Sequence, residues 1–197
     1  MKQDIILAGV GGQGILSIAA VIDNAALAAG LRIKQAEVHG MAQRGGAVQS
    51  HLRIADGPIA SDLVPKGAAD LVLSVEPLEA LRYIDYLRPE GAVITSSAPY
   101  VNIPDYPRVE DVLAAIRQIE PNVIVDSAGL ALKAGNARAQ NMVMLGAASR
   151  TLIVDEPDLR RALEDFFRPR GQDVVAANLK AFELGREAAS HPTRHPV

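Results

Sequence analysis

The sequence has 197 residues, 49% of them hydrophobic, with a formal net charge of −3. This length can bury one hydrophobic core. The charge, without a basic stripe, does not favour nucleic-acid binding, and no stretch is apolar enough to span a bilayer. We therefore expect a cytoplasmic protein that binds neither nucleic acid nor membrane. The absence of cysteine excludes thiol catalysis, disulfides and the thiolates that normally hold iron–sulfur clusters.

The first predicted strand leads into a glycine-rich turn. Residues 5–8 are apolar and are followed by Gly9-Val10-Gly11-Gly12-Gln13-Gly14, then by a predicted helix over 15–29. The turn fits the G-x-G-x-x-G pattern, in which backbone N–H groups at a helix start approach an anion. A second predicted strand, 31–38, carries Glu37 near its end, where dinucleotide-binding folds place a ribose-binding acid. Alone, these features favour a stand-alone oxidoreductase that uses NAD or a flavin.

The segment after the second strand departs from that pattern. Residues 39–46 form a glycine-rich loop, His39-Gly40-Met41-Ala42-Gln43-Arg44-Gly45-Gly46. The following strand, 48–54, alternates polar and apolar residues, which favours a half-exposed antiparallel or edge strand. Its polar face carries Gln49, His51 and Arg53, and we expect that face to contact solvent or a partner. In a nicotinamide-binding fold, a short turn would instead connect the second strand to the next helix.

The rest of the chain alternates strands and helices. Strands are predicted over 69–75, 91–95 and 122–126, and helices over 76–87, 109–119, 136–150, 156–167 and 173–186; the proline-rich segment 96–108 is predicted as an extended connection. This pattern predicts an α/β domain of three layers: a mainly parallel sheet with at least one antiparallel or edge strand, and helices on both faces. The expected core comprises Ile6, Ala8, Val72, Leu73, Val93, Ile94, Ile124 and Val125.

Three motifs in order resemble one known family. They are the glycine turn, the sequence Glu37-Val38-His39-Gly40-Met41-Ala42-Gln43-Arg44-Gly45-Gly46 before the alternating strand, and the run Asn141-Met142-Val143-Met144-Leu145-Gly146 after Gly135-Asn136. Together they resemble the gamma-type domain of the 2-oxoacid:ferredoxin oxidoreductases, most closely the small (beta) subunits of the indolepyruvate-specific group. The resemblance implies one catalytic-type domain over 1–188 and, from residue 189, a tail that we expect to be disordered.

The resemblance also implies how the chemistry is divided between subunits. The net reaction would convert an aryl pyruvate, coenzyme A and oxidised ferredoxin to an aryl-acetyl coenzyme A, carbon dioxide and reduced ferredoxin. A large (alpha) partner subunit would carry thiamine diphosphate and the iron–sulfur clusters, and ferredoxin would be met through the complex. Coenzyme A would be a cosubstrate, and no cofactor is assigned to this chain alone. The lack of cysteine and of the family's Gly-Asp-Gly thiamine-diphosphate signature agrees with that division.

The candidate cofactor-binding residues are Gly11, Gly12, Gln13, Gly14, Gln43, Arg44 and Gly45. Arg44 beside two glycines combines a fork-shaped cation with backbone donors, which suits an anion. Since both loops would emerge at the carboxyl edge of the sheet, we expect them to converge on one phosphate. Three alternatives stay open: the glycine turn is only a packing turn, Arg44 contacts a partner subunit, or the chain is a scaffold for assembly.

Other polar residues give weaker signals. No nucleophile–base pair or Walker lysine is recognisable, so no catalytic residue is assigned. His191 and His195 have helical metal spacing, but Pro192 between them disfavours a helix, and no metal site is predicted. Asn136 and Asn141 either cap the helix predicted at 136–150 or point into a cleft, with capping favoured.

Overall fold

A computed structural model describes residues 1–39, 45–101 and 103–189. The strands are β1 Lys2–Val10, β2 Arg32–His39, β3 Ala47–Ala55, β4 Ala69–Ser74, β5 Leu87–Ser96 and β6 Asn122–Val125. The helices are α1 Ile15–Ala28, α2 Pro77–Arg82, α3 Val109–Arg117, α4 Ser127–Lys133, α5 Gln140–Ala148, α6 Glu156–Phe167 and α7 Gln172–Ala188, with short 3-10 helices at Ile84–Tyr86 and Arg168–Arg170.

The six strands form one mixed sheet in the order β2-β3-β1-β4-β5-β6. Strands β1, β4, β5 and β6 run parallel, while β3 pairs antiparallel with β1 and with β2. The predicted α/β fold with a mainly parallel sheet is therefore confirmed, as is an antiparallel strand near 48–54. That strand lies inside the sheet, however, because β2 pairs with its outer side.

Alternating side chains of the sheet build two hydrophobic cores, which makes the domain three-layered. Ile5 and Leu7 of β1 pack into the larger core with α1, α5, α6 and α7. Ile6 faces the opposite side, where α2 and α3 complete a smaller core. Of the predicted core residues, only Ile124 is not fully buried. It lies on β6, an edge strand that has a neighbour on one side only.

Several predicted boundaries shift. The helix predicted to reach residue 87 ends at Arg82 and gives way to a 3-10 turn. The helix predicted over 136–150 was wrong in its start, because residues 134–139 form a loop before α5. Helix α4 was not predicted. Its start is marked by Asp126, whose Oδ1 accepts a hydrogen bond from the Gly129 N–H (2.9 Å) as an N-cap.

Helices α5 and α7 touch backbone to backbone. A Cβ on Gly146 of α5 would collide with the main-chain oxygen of Phe182, and one on Gly185 of α7 would collide with that of Val143. The two glycines thus form a reciprocal pair at the crossing, where each helix accommodates the main chain of the other. Any larger residue at either position would force the helices apart.

Within the described ranges, every helix is too short or too polar to cross a lipid bilayer.

Candidate functional site

The glycine turn joins β1 to α1, and its glycines have different structural roles. Gly12 and Gly14 have φ angles of +100° and +77°, a region that L side chains rarely adopt. Gly9 has an ordinary φ, but a Cβ there would lie 2.6 Å from Ile15 Cδ1. The turn therefore needs glycine for conformation at Gly12 and Gly14, whereas a Cβ at Gly9 would require the Ile15 side chain to shift. Gly14 is also the N-cap of α1 and supplies no side-chain cap.

Gln13 holds the turn closed. Its Oε1 accepts a hydrogen bond from the Val10 N–H (2.8 Å), and its own N–H donates to the Val10 carbonyl (3.1 Å). The side-chain carbonyl is thus committed to the turn. The Nε2 amide makes no hydrogen bond with any residue in the described ranges, and Gln13 lines the neighbouring cleft.

The predicted approach of the two glycine-rich loops is present for the part that the structure describes. The Gly11 N–H donates to the Gly46 carbonyl (2.8 Å), and the Gly45 N–H donates to the Gly11 carbonyl (3.4 Å). The cause differs from the one expected, because β2 is not a neighbour of β1. Instead β3 returns antiparallel and pairs with β1 up to Val10 opposite Ala47. Gln43 and Arg44 lie outside the described residues.

A cleft of about 520 Å³ opens beside the glycine turn at the carboxyl edge of the parallel strands. The connection after β1 leads to α1 on one face, whereas that after β4 leads to α2 on the other. Where the connections after two adjacent parallel strands leave toward opposite faces of the sheet, they create the crevice in which open α/β sheets bind ligands. The residues lining the cleft are Gly11, Gly12, Gln13, Val75, Ala98, Pro99, Tyr100, Ala128, Ala137, Arg138 and Gln140.

Arg138 is the cationic residue of that lining, and sequence reasoning missed it. It lies in the loop before α5, where Asn136 Oδ1 accepts a hydrogen bond from its backbone N–H (3.0 Å). Its guanidinium forms no ion pair with a carboxylate of the described residues. The misplaced helix start at residue 136 hid this loop. An Asn-x-Arg sequence between the last strand and a helix was the available signal.

Asn141 connects the cleft wall to the glycine turn. Its Nδ2 donates to the Gly14 carbonyl (3.2 Å), and its side chain fills the space beside the Gly14 α-carbon. Helix capping, which was favoured for Asn141, is therefore wrong: the N-cap of α5 is Ala139. Asn136 instead closes a turn ahead of the helix. Nearby, Gln140 Oε1 accepts from Ser127 Oγ (3.3 Å), which lies 2.7 Å from Ser96 Oγ.

Two residues of the polar face of β3, His51 and Arg53, are buried, contrary to the expectation of a half-exposed strand, while Gln49 is half-buried. His51 is 3% exposed, and its Nδ1 accepts a hydrogen bond from the Val64 N–H (3.1 Å). Arg53 forms two hydrogen bonds to the Asp4 carboxylate (2.8 and 3.1 Å) and also donates to the Ser61 and Leu63 carbonyls. Burial, and next the charge of Arg53, lower the pKa of His51. The segment after β3 covers this face and makes its polar groups structural.

The predicted ribose-binding acid lies far from the glycine turn. In dinucleotide-binding folds this acid ends the strand next to the first one. Here β3 separates β2 from β1, so two interstrand spacings, roughly 10 Å, lie between the strand of Glu37 and β1. Glu37 accepts a hydrogen bond from Gln35 Nε2 (2.7 Å) and faces Asp23 of α1. This geometry disfavours NAD binding in the manner of such folds.

The carboxyl group of Asp23 is partly buried and lies near a second carboxylate, that of Glu37. Burial, and next the negative charge of Glu37, raise the pKa of its carboxyl to about 6. Its Oδ1 is buried and accepts no hydrogen bond from the described residues. Asp23 lies on α1 away from the cleft lining, so its perturbed pKa concerns stability rather than ligand binding.

Metal binding finds no support in the part of the chain that is described. No group of three or more histidine, cysteine, aspartate or glutamate side chains there is arranged to hold an ion. His191 and His195 lie outside that part.

Comparison with known proteins agrees with the resemblance. A solved 2-oxoglutarate:ferredoxin oxidoreductase from Magnetococcus marinus, with 2-oxoglutarate, coenzyme A and succinyl-CoA bound, superposes with a TM-score of 0.76 and 24% identity, over 96% of this chain and 31% of that one. The gamma subunit of a keto/oxoacid ferredoxin oxidoreductase from Geobacter sulfurreducens superposes with a TM-score of 0.70 and 23% identity, over 95% of this chain and 98% of that one. These structures share the fold.

Sequence similarity establishes the family. The indolepyruvate oxidoreductase subunit IorB of Pyrococcus horikoshii is 38% identical over 201 residues, covering 96% of this chain and 97% of that subunit. The sequence profile described as pyruvate ferredoxin/flavodoxin oxidoreductase matches residues 4–188. This chain therefore belongs to the pyruvate ferredoxin/flavodoxin oxidoreductase family.

Proposed function

We propose that this chain is the small subunit of a cytoplasmic 2-oxoacid:ferredoxin oxidoreductase that acts on aryl pyruvates such as indolepyruvate. The 2-oxoacid loses carbon dioxide, its acyl carbon is oxidised and forms a thioester with the sulfur of coenzyme A, and the two electrons released reduce ferredoxin. The observation that carries the proposal is the 38% identity to an indolepyruvate oxidoreductase subunit over nearly the full length of both chains.

Thiamine diphosphate and the iron–sulfur clusters would belong to a large partner subunit. Iron–sulfur clusters do not fit this chain, since it has no cysteine to provide thiolate ligands. Thiamine diphosphate would supply the electron sink for decarboxylation, and ferredoxin would accept electrons from the clusters of the complex. The domain that supports this work would span residues 1–188.

The contribution of this chain would be to hold an anionic group of coenzyme A in the cleft. Helix α1 points its uncapped N-terminus toward the turn and has no acidic residue in its first turn, so the partial positive charge there is available to a phosphate. Gly11, Gly12, Gln13, Gly14 and Gly45 would provide close backbone approach. Gln43 and Arg44, which precede Gly45, would complete the site, and Arg138 would face the anion from the opposite wall.

Coexpression with a candidate large subunit tests the assignment. We expect the two chains to copurify, and the complex to reduce ferredoxin when given an aryl pyruvate and coenzyme A. The isolated small subunit should show no turnover. Turnover by the isolated chain, or its tight binding of NADH or FAD in a titration, would refute the subunit assignment and support the stand-alone alternative.

A pair of glycine variants tests the cleft. Gly14 and Gly30 have nearly equal φ angles, +77° and +76°, so alanine imposes a similar backbone cost at both, about 1–2 kcal/mol. Only at Gly14 would the new methyl group also displace Asn141 beside the cleft. We expect Gly14→Ala to raise the KM for coenzyme A, and Gly30→Ala to lower stability alone. Equal KM values in the two variants would argue against the cleft as the coenzyme A site.

A further inference from the structure

Glu76 is a buried carboxylate at the rim of the cleft. It follows β4 directly, after the cleft-lining Val75, and is the N-cap of α2. Its exposure is 1%. The backbone of Glu76 is fixed on both sides by Ser74, whose Oγ donates to the Glu76 carbonyl (2.6 Å) and accepts from the Glu76 N–H (3.2 Å). The carboxylate therefore has a rigid base.

The two carboxylate oxygens of Glu76 tie together two different elements. Oε2 accepts a hydrogen bond from the Glu79 N–H in the first turn of α2 (2.8 Å). Oε1 accepts from the Tyr100 N–H (3.3 Å) and from the Tyr106 hydroxyl, both in the connection between β5 and α3. The side chain of Glu76, which lies between β4 and α2, therefore holds this connection at two points.

The charge of Glu76 is compensated by hydrogen bonds rather than by a cation. In the described ranges no lysine, arginine or histidine forms an ion pair with it, so a buried negative charge depends on its three donors. The hydroxyl of Tyr106 reflects the same interaction: burial, and next the hydrogen bond to Glu76, raise its pKa above the ordinary range. Losing Oε1 as an acceptor would leave both donors of this connection unpaired, whereas losing Oε2 would release the Glu79 N–H of α2.

The connection anchored in this way forms a wall of the cleft. Ala98, Pro99 and Tyr100 line the cleft together with Gly11 and Gly12 of the glycine turn. The Tyr100 N–H, one of the three donors to Glu76, belongs to that wall. Glu76 Oε1 therefore links the position of this wall to the chain segment that follows β4.

We propose that Glu76 is a positioning residue that sets the width of the cleft and thereby the affinity for coenzyme A, a role that rests on the proposed function. Glu76 is not one of the residues that line the cleft. It acts through the backbone of Tyr100 and the hydroxyl of Tyr106.

The test compares three variants in the complex with the large subunit. Glu76→Gln keeps the shape but removes the negative charge that strengthens the hydrogen bonds from Tyr100 and Tyr106, and it turns one acceptor into an NH2 donor. We expect it to raise the KM for coenzyme A about tenfold while kcat and the KM for the 2-oxoacid change by less than about twofold. Tyr106→Phe removes one donor and should raise the same KM by about threefold. Tyr83→Phe is the matched control, since this half-buried tyrosine makes no hydrogen bond to Glu76, and its KM should be that of the wild type.

Hydrogen–deuterium exchange provides the second readout. We expect faster exchange in the peptide containing Tyr100 and Tyr106 when Glu76→Gln is present. An unchanged KM for coenzyme A despite faster exchange or a lower Tm would overturn the positioning role and leave Glu76 purely structural. A wild-type complex without coenzyme A-dependent turnover would refute the proposed function instead. If the wild-type complex shows no such turnover, hydrogen–deuterium exchange still tests the anchoring by Glu76. Unchanged exchange of the Tyr100–Tyr106 peptide in Glu76→Gln would refute the anchoring, and faster exchange would support it.

Discussion

Replacing Asp23 with asparagine should stabilise the protein at neutral pH. The folded-state pKa of about 6 lies above the ordinary value of 3.8, so the folded state disfavours the ionised form. At pH 7 a shift of this size corresponds to at most about 3 kcal/mol. Asp23 is only partly buried, so solvent screening reduces the expected gain to about 1–2 kcal/mol, or roughly 2–8 °C in Tm.

The pH dependence of the stability difference between the wild type and Asp23→Asn tests this reasoning. Well below the unfolded-state pKa of 3.8 the carboxyl is protonated in both states, so its penalty is absent; the penalty grows as the pH rises from 3.8 to about 6 and is complete at higher pH. Urea denaturation of the wild type and Asp23→Asn should therefore show a large difference at pH 7.5 and only a small one near pH 4. Asp105→Asn, in an exposed loop, is the control. Equal differences at both pH values, or a carboxyl titration by NMR with a midpoint near 4, would refute the reasoning.

Three further predictions concern other charged groups. His51 has a lowered folded-state pKa, so stability should fall as the pH drops below about 6.5; denaturation at pH 7.5 and 5.5 in the Asp23→Asn background should show this fall, and His51→Gln should remove it. Arg53→Ala leaves a buried carboxylate without its main partner and should cost about 3 kcal/mol in chemical denaturation, whereas Lys2→Ala, at the exposed end of the same cluster, should change little. Arg44→Ala should raise the KM for coenzyme A about ten- to a hundredfold, with partial recovery in Arg44→Lys; loss of subunit association with an unchanged KM would assign Arg44 to the interface.

Elements with strong local signals were predictable from the sequence. The helix predicted over 156–167 matches α6, because its N-terminal Glu-Pro and regular apolar spacing act within one helix. The glycine turn was also recognisable, since positive φ angles at Gly12 and Gly14 restrict those positions to glycine. Such features depend on residues close in sequence.

Features that depend on distant partners were not predictable. The alternation in β3 correctly indicated two different faces, but it could not show that Val64 and Tyr86 would cover His51. Asn141 resembled a capping residue because its contact with Gly14 spans 127 positions in the sequence. Arg138 could not be recognised as a candidate because its position in the cleft lining depends on the folded sheet. Long-range packing therefore decided the parts of the site that sequence patterns missed.

The glycine pair where α5 crosses α7 links the far end of the chain to the cleft. Helix α5 begins with Gln140 in the cleft lining and Asn141 against the glycine turn, and further along the same helix Gly146 meets the backbone of α7. A rigid helix transmits a displacement at one end to the other. A displacement of α7 would therefore shift the cleft residues at the start of α5. If the proposed function holds, shortening or fusing the chain near Gly185 should alter the affinity for coenzyme A although no cleft residue is changed.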